Sequence, residues 1–426
     1  MVIITKIHNK YYNVENFKHP GGDIAIWHSY GRDATAMFEM YHPFVNKEKL
    51  QNILEKYEVS ADEAKSFLLE EEEDNTPQFE YDTDFSKELK QEVNNYFQKE
   101  ALKNNTSINK ITKASTNRWV LILFLNFLRF LGIFWWLSGS IYGLIAFPVF
   151  SWLGLSNVFH DACHFSLSNN WKINRFFSYF IYDLSTPLYW YYQHNIGHHA
   201  YTNIKNKDVD LYHFSYFARE SKYSKYKILH KFQIFIVWFK WIFSYNGIVT
   251  YVFLRSLFEN KYYDIIPRYN KNFDNIEINN KILLASYLII RYVCAYYWFN
   301  KNILYVIIPT FIFSFLFMLN SQITHLHEDC FLVEKDWYKH QALTSTNHSI
   351  GSTINYIFSG GLNYQIEHHL FPGVNHCHYP YIQPIVEKVC DKHKITYKKF
   401  NGYYDAFISY CKHIFNLSYD ENRKQE

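Results

Sequence analysis

The chain has 426 residues, long enough for two domains, and a formal net charge of +3, which gives no case for nucleic-acid binding. Aromatic residues make up 20% of it, and many sit in long apolar runs flanked by Tyr and Trp, as in segments that cross a bilayer interface. The six cysteines show no CxxC pair and no regular spacing, so free thiols in a reducing compartment are expected rather than a zinc site or a disulfide framework.

Residues 1–68 read as a small soluble domain. Alternation from Ile7 to Val14 predicts a strand, and Ile24–Trp27 and Ala34–Met40 predict helices. No basic, apolar, small-residue leader precedes them, so this domain is expected to stay in the cytosol. His19-Pro20-Gly21-Gly22 is followed by Gly31-Arg32-Asp33-Ala34-Thr35 and then Tyr41-His42-Pro43. Two histidines, each in a turn, can clamp a flat macrocycle from opposite faces, and Gly21 and Gly22 permit the tight turn that aims the first. Ile24, Ile26, Trp27, Met37, Phe38 and Met40 would supply an apolar wall. Two imidazole ligands leave the iron of such a group no open position, so the expected task is electron transfer rather than oxygen binding. The pattern resembles the cytochrome b5 family, with a domain that begins close to the strand before the haem turn. That resemblance implies an α+β fold, haem b, and His19 and His42 as its axial ligands.

Residues 69–116 read as a connector. Glu70 to Pro77 is a block of like charge ending in proline, expected to be a solvated linker. In 83–103, Phe85, Leu89, Val93, Tyr96 and Phe97 recur at helical spacing, predicting an amphipathic helix that lies on the membrane or packs on the next domain.

Residues 117–426 read as an all-α integral membrane domain. Four apolar stretches, 119–137, 139–159, 282–299 and 303–319, are each near the length of a spanning helix. Ser138-Gly139-Ser140 and Asn300-Lys301-Asn302 join them into two hairpins. Everything else then lies on one side as a helical cap, and its Lys and Arg make that side cytosolic. Arg129 and Arg291 fall inside spans, which calls for partners within the bundle or shifted boundaries. The runs 176–192 and 232–243 read as interfacial or re-entrant.

Three histidine clusters lie close to these membrane boundaries: His160-Asp161-Ala162-Cys163-His164, Gln193-His194-Asn195-Ile196-Gly197-His198-His199 and Gln365-Ile366-Glu367-His368-His369. Helical spacing pairs His160 with His164, His194 with His198 and Gln365 with His369. His199 and His368 reach the same region, and His325, just past the last span, is an added candidate with His327 as its weaker rival. Neutral imidazoles suit iron, copper or zinc, and this many point to two ions. The remaining histidines, His376 among them, read as ordinary polar residues.

These clusters, and above all the run Gly360-Gly361-Leu362-Asn363-Tyr364-Gln365-Ile366-Glu367-His368-His369-Leu370-Phe371-Pro372, resemble the membrane fatty acid desaturases with three histidine boxes. Gln365, where many members have histidine, and the fused b5-like domain resemble the front-end desaturases. The resemblance implies two non-haem irons held by His160, His164, His194, His198, His199, His325, His368 and His369, with Gln365 as a ligand or a neighbour of one. Asp161, Asp208 and Asp210 are candidates to orient ligand imidazoles.

An unactivated methylene has no acidic proton and no leaving group, so only a metal-bound oxidant can remove its hydrogens. The expected reaction is O2-dependent insertion of a cis double bond into a polyunsaturated fatty acyl chain, on an acyl lipid or acyl-CoA. The haem domain would feed electrons singly. No dinucleotide fingerprint occurs in the chain, so an NADH-cytochrome b5 reductase is an expected partner. The expected location is the endoplasmic reticulum membrane, with both metal sites facing the cytosol. Competing readings are a b5-fused sphingolipid long-chain-base desaturase, a fatty acyl hydroxylase, and a membrane-tethered b5 carrier without enzymatic activity.

Overall fold

The computed structural model describes residues 2–68, 78–181, 186–256, 258, 261–262, 265–267 and 274–419. The acidic run at 70–77 lies outside the described residues.

Strands β1 (Ile4–Ile7) and β2 (Lys10–Asn13) form an antiparallel hairpin, and β3 (Glu58–Val59) pairs with β2. The alternating stretch Ile7–Val14 is therefore not one strand but a turn and a second strand. His8 and Asn9 make that turn at φ 49° and 64°, a conformation Asn and His enter more readily than most residues. Helices Asp23–Ser29 and Thr35–Tyr41 fall where the periodicity predicts them. Ile4, Trp27, Tyr30 and Met40 close the core of this unit.

The predicted amphipathic helix spans Asp84–Lys103, capped by Thr83, whose Oγ1 accepts from Ser86 N at 3.1 Å. Its apolar face, Phe85, Leu89, Val93 and Phe97, is buried against the helix Tyr379–Lys392, so it packs on the following domain.

Among the described residues, three helices are long and apolar enough to cross a membrane: Ile108–Leu137, Gly143–Cys163 and Leu304–Gln322. The first two form a hairpin whose backbones close on Gly132, where a Cβ would stand 3.0 Å from the Ala146 carbonyl. Val120, Leu123, Phe124, Phe127, Phe130 and Phe134 leave an exposed apolar stripe along the first, suited to lipid. The expected span at 282–299 is helical in three pieces, Asp274–Leu288, Ile289–Cys294 and Ala295–Trp298, and is not one of those three long apolar helices.

Both arginines inside the apolar segments turn inward. Arg291 Nη2 donates to Val306 O at 3.1 Å and Thr310 Oγ1 at 2.9 Å, with its guanidinium over Trp136. Arg129 Nη1 donates to Phe180 O at 3.1 Å. The run read as interfacial or re-entrant at 232–243 belongs to a 24-residue helix, Gln233–Ser256, packed along Leu304–Gln322. Lys240 within it is buried in an ion pair with Glu220.

Candidate metal centre

The histidine clusters are set on unusual backbone. A π-turn, Leu155–Phe159, immediately precedes His160, and a nine-residue π-helix, Tyr191–His199, carries His194, His198 and His199. π-Helical hydrogen bonds link residues five apart, so His199 rather than His198 lies under His194. Their Nε2 atoms are 3.1 Å apart. The third cluster rides on the short helix Gln365–Leu370. The chain approaches it through Gly360 and Gly361, at φ 70° and 91°. A Cβ on Gly360 would sit on the Ser156 carbonyl of the π-turn, and one on Gly361 would meet the His376 ring. Glycine at both positions therefore lets the first and third clusters approach each other.

The nine candidate residues come together at one end of the bundle, in two groups. His160, His164, His194 and His368 offer ligand atoms all within 4.8 Å of one another, as do His198, His325 and His369. His199 stands between the groups, stacked on His369 at 4.3 Å and 4.5 Å from His164, ring centre to ring centre. His160 Nε2 is 2.9 Å from His194 Nε2. His325 Nε2 is 3.0 Å from His369 Nε2, 3.3 Å from His198 Nε2 and 2.7 Å from the Gln365 amide. His327 lies elsewhere, on Ser409.

The outward nitrogens decide what this convergence means. His325 Nδ1 donates to Thr344 O at 3.1 Å, His198 Nδ1 to Asp208 Oδ2 at 3.0 Å, and His369 Nδ1 to Gln341 Oε1 at 2.9 Å. With the ring proton on Nδ1, each Nε2 presents a lone pair, and three lone pairs facing one point repel unless a cation lies among them. Two nitrogens bound ~2.1 Å from one ion and about 90° apart stand about 3.0 Å from each other, the spacing seen here. The donor set thus fits iron, for which imidazole is a suitable ligand. Burial opposes a charge on His198, but Asp208 and Asp210 overcome it and raise the ring to about 9. A metal ion at Nε2 would take that proton's place.

Asp161 makes no hydrogen bond to His160. It is buried and accepts from Arg118 Nη2 at 3.2 Å and Asn375 Nδ2 at 2.9 Å, and it lies 3.1 Å from His376 Nδ1. His376, given no role by its spacing, is buried with its ring centre 5.2 Å from those of both His160 and His368.

His19 and His42 face each other with ring centres 5.9 Å apart, room for an iron between two imidazoles. His42 Nδ1 donates to Phe38 O at 2.8 Å, which frees Nε2 for a metal. Burial, helped by the neighbouring His42, pushes His19 down to about 4 and keeps it in the neutral form that binds iron. The two centres touch through one side chain: the Tyr41 hydroxyl is 3.0 Å from His164 Nδ1. Around it, Trp27 packs on Tyr192, His28 on Tyr191, and the Tyr338 hydroxyl donates to Glu39 O. On its other side the histidine centre opens into a cavity walled by Trp152, Leu155, Trp190, Phe317 and Met318.

Comparison with known proteins agrees with this geometry. Residues 133–401 match the family model described as fatty acid desaturase, and residues 3–61 that of the cytochrome b5-like haem/steroid binding domain. Similar proteins include the "Probable Delta(5) fatty acid desaturase C" of Dictyostelium discoideum, 27% identical over 96% of this chain and 91% of its own length. The "Acyl-lipid (8-3)-desaturase" of Mortierella alpina is 28% identical over 96% and 92%. The "Delta(8)-fatty-acid desaturase" of Borago officinalis is 26% identical over 95% and 88%. No solved structure matches the chain. The b5-like domain implies haem and the catalytic family implies iron. With its histidine clusters gathered beside an apolar cavity and its family model matched across more than half its length, this chain belongs to the fatty acid desaturase family and carries a cytochrome b5-like domain at its N-terminus.

Proposed function

We propose that the chain is an O2-dependent front-end desaturase that inserts a cis double bond into a polyunsaturated fatty acyl chain. One observation carries the reading: imidazole nitrogens from distant segments converge at 2.9–3.3 Å beside an apolar cavity. His160, His164, His194, His199 and His368 would hold one iron, and His198, His325 and His369 the other, with the Gln365 amide beside His325. When bound, the pair supplies the oxygen chemistry that removes two hydrogens from unactivated carbons, which no side chain can do.

The residues of the chain do the rest. Asp208, Gln341 and the Thr344 carbonyl hold the Nδ1 protons, fixing both tautomer and ring orientation. Trp152, Leu155, Trp190, Phe317 and Met318 form the apolar part of the cavity wall and would guide an acyl chain over the histidines. Arg118, Asp161 and Asn375 fasten the first cluster to the segment after the third. His19 and His42 would hold haem b, which carries electrons one at a time.

Beside the three long apolar helices, the 282–299 segment would make a fourth membrane span, in the endoplasmic reticulum with the metal end cytosolic. An NADH-cytochrome b5 reductase would reload the haem, and an acyl lipid or acyl-CoA would be the substrate. Relatives whose names place the double bond at different carbons span nearly the whole chain at similar identity, so the position is not set by overall likeness. Expression in yeast supplied with polyunsaturated acids, with double bonds located by mass spectrometry, tests the reading. A new cis bond on the carboxyl side of an existing one is expected. No new lipid from protein loaded with haem and iron overturns it.

A further inference from the structure

We propose that Tyr41 is the relay through which electrons pass from the haem domain to the histidine centre, entering at His164. The inference rests on the function proposed above and adds the route.

Tyr41 is the last residue of the helix Thr35–Tyr41, and His42 is its C-cap. At 3.6 residues per turn, consecutive side chains point ~100° apart. The end of one helix therefore aims neighbouring side chains at different centres. His42 faces His19, while the Tyr41 hydroxyl reaches His164 Nδ1 at 3.0 Å. His164 is buried, belongs to the first histidine group, and has an Nε2 with no hydrogen-bond partner among the described residues, so that nitrogen is open to a metal. With Nε2 on a metal, Nδ1–H donates to the Tyr41 oxygen. The path from one proposed ligand to the other is then one peptide link, one phenol and one hydrogen bond. Trp27 packs on Tyr192, His28 on Tyr191 and Phe44 on Phe371, and none of these three partners is among the proposed ligands. Tyr41 is also wedged in place, edge-on to Phe165 and beside Gly373.

The step balances without a proton. One electron leaves ferrous haem, which becomes ferric, and arrives at a ferric ion of the histidine centre, which becomes ferrous. Tyr41 is neither oxidised nor reduced on balance. The reductant and the oxidant are the haem and non-haem iron of the two families to which the domains belong.

The test is stopped-flow reoxidation of pre-reduced haem in the full-length, iron-loaded protein, mixed with O2 and acyl substrate. Tyr41→Phe removes only the hydroxyl. It should slow haem reoxidation by about tenfold, equivalent to ~1.4 kcal/mol on the barrier. Haem spectrum, haem midpoint potential and iron content should stay as in the wild type. Tyr338→Phe removes a different hydrogen bond across the same interface and should leave the rate unchanged. Wild-type reoxidation in Tyr41→Phe, or equal slowing in both variants, overturns the relay, the second outcome reducing Tyr41 to a docking contact. His164→Ala, which loses the ligand at which the electron enters, should reoxidise only at background rate, and a wild-type rate there also overturns the relay. If the wild-type protein makes no double bond, yet its iron-dependent reoxidation is slowed by Tyr41→Phe, the relay stands and the desaturase reading falls.

Discussion

Asp208 shows how much of the centre rests on groups that never touch a metal. Its Oδ2 takes the His198 Nδ1 proton at 3.0 Å and also accepts from Asn203 N at 2.8 Å, while its Oδ1 accepts from Asp210 N at 3.0 Å. The carboxylate is thus held by backbone before it holds the ring. Asp208→Asn keeps the size but replaces one acceptor oxygen by a donor that clashes with either the ring N–H or the backbone N–H. Iron affinity or turnover should fall roughly 10–100-fold, as for other groups that orient metal-binding histidines. Iron titration of the purified variant checks it, and wild-type affinity would show that Asp208 has no orienting role. Most of the candidate site was legible because histidines at short spacing advertise themselves. The surroundings of Asp161 were not legible, since nothing local tells a carboxylate next to His160 that Arg118, Asn375 and His376 will surround it. His376 and Tyr41 stayed hidden for the same reason. Tyr41 meets His164, and His376 meets His160, across more than a hundred positions of chain.

At the scale of elements, the apolar runs and the amphipathic helix followed from composition and period, because burial and lipid contact leave a repeating mark on sequence. The π-helix at Tyr191–His199 left none: its residues read equally well at α spacing, and only the structure reveals that His194 faces His199. The long helix Gln233–Ser256 was cut short in the sequence reading at 243, where Ser244, Tyr245 and Asn246 dilute the apolar run, although the helix continues through them. Tight joints between elements are testable at Gly360. A side chain there meets the Ser156 carbonyl, and the residue is held at φ 70°, so Gly360→Ala combines overpacking with left-handed strain. A loss of roughly 1–3 kcal/mol in stability is expected, together with iron loss, because the backbone that must yield leads directly into His160. Thermal unfolding and iron content of the variant decide it. A stable variant with full iron would mean that the first and third clusters do not depend on this close approach.

The molecule as a whole is a carrier seated on its own acceptor. The haem domain contacts the catalytic domain at Tyr41–His164, Trp27–Tyr192, His28–Tyr191 and Glu39–Tyr338. It is also clasped by Lys90 of the amphipathic helix, which pairs with the buried Glu39. None of these contacts is made by His19 or His42 themselves. Removing haem should therefore leave the domain docked. The consequence concerns rescue. A tether alone raises local concentration, and a loosely tethered domain without haem would swing aside and let a separate cytochrome b5 serve the iron. A docked domain blocks that access, because His164 is already covered by Tyr41. His19→Ala should accordingly lose haem and product formation, and added soluble cytochrome b5 with its reductase should fail to restore product even at high concentration. Weakening the seat should reverse this. Adding Trp27→Ala to His19→Ala removes a buried aromatic from the interface, a change worth about 3–5 kcal/mol in a packed core, and should make the protein responsive to added b5. Product measured against b5 concentration in the two variants separates the alternatives: rescue of His19→Ala alone would show that the domain leaves its seat during turnover and that the docked arrangement is one of several.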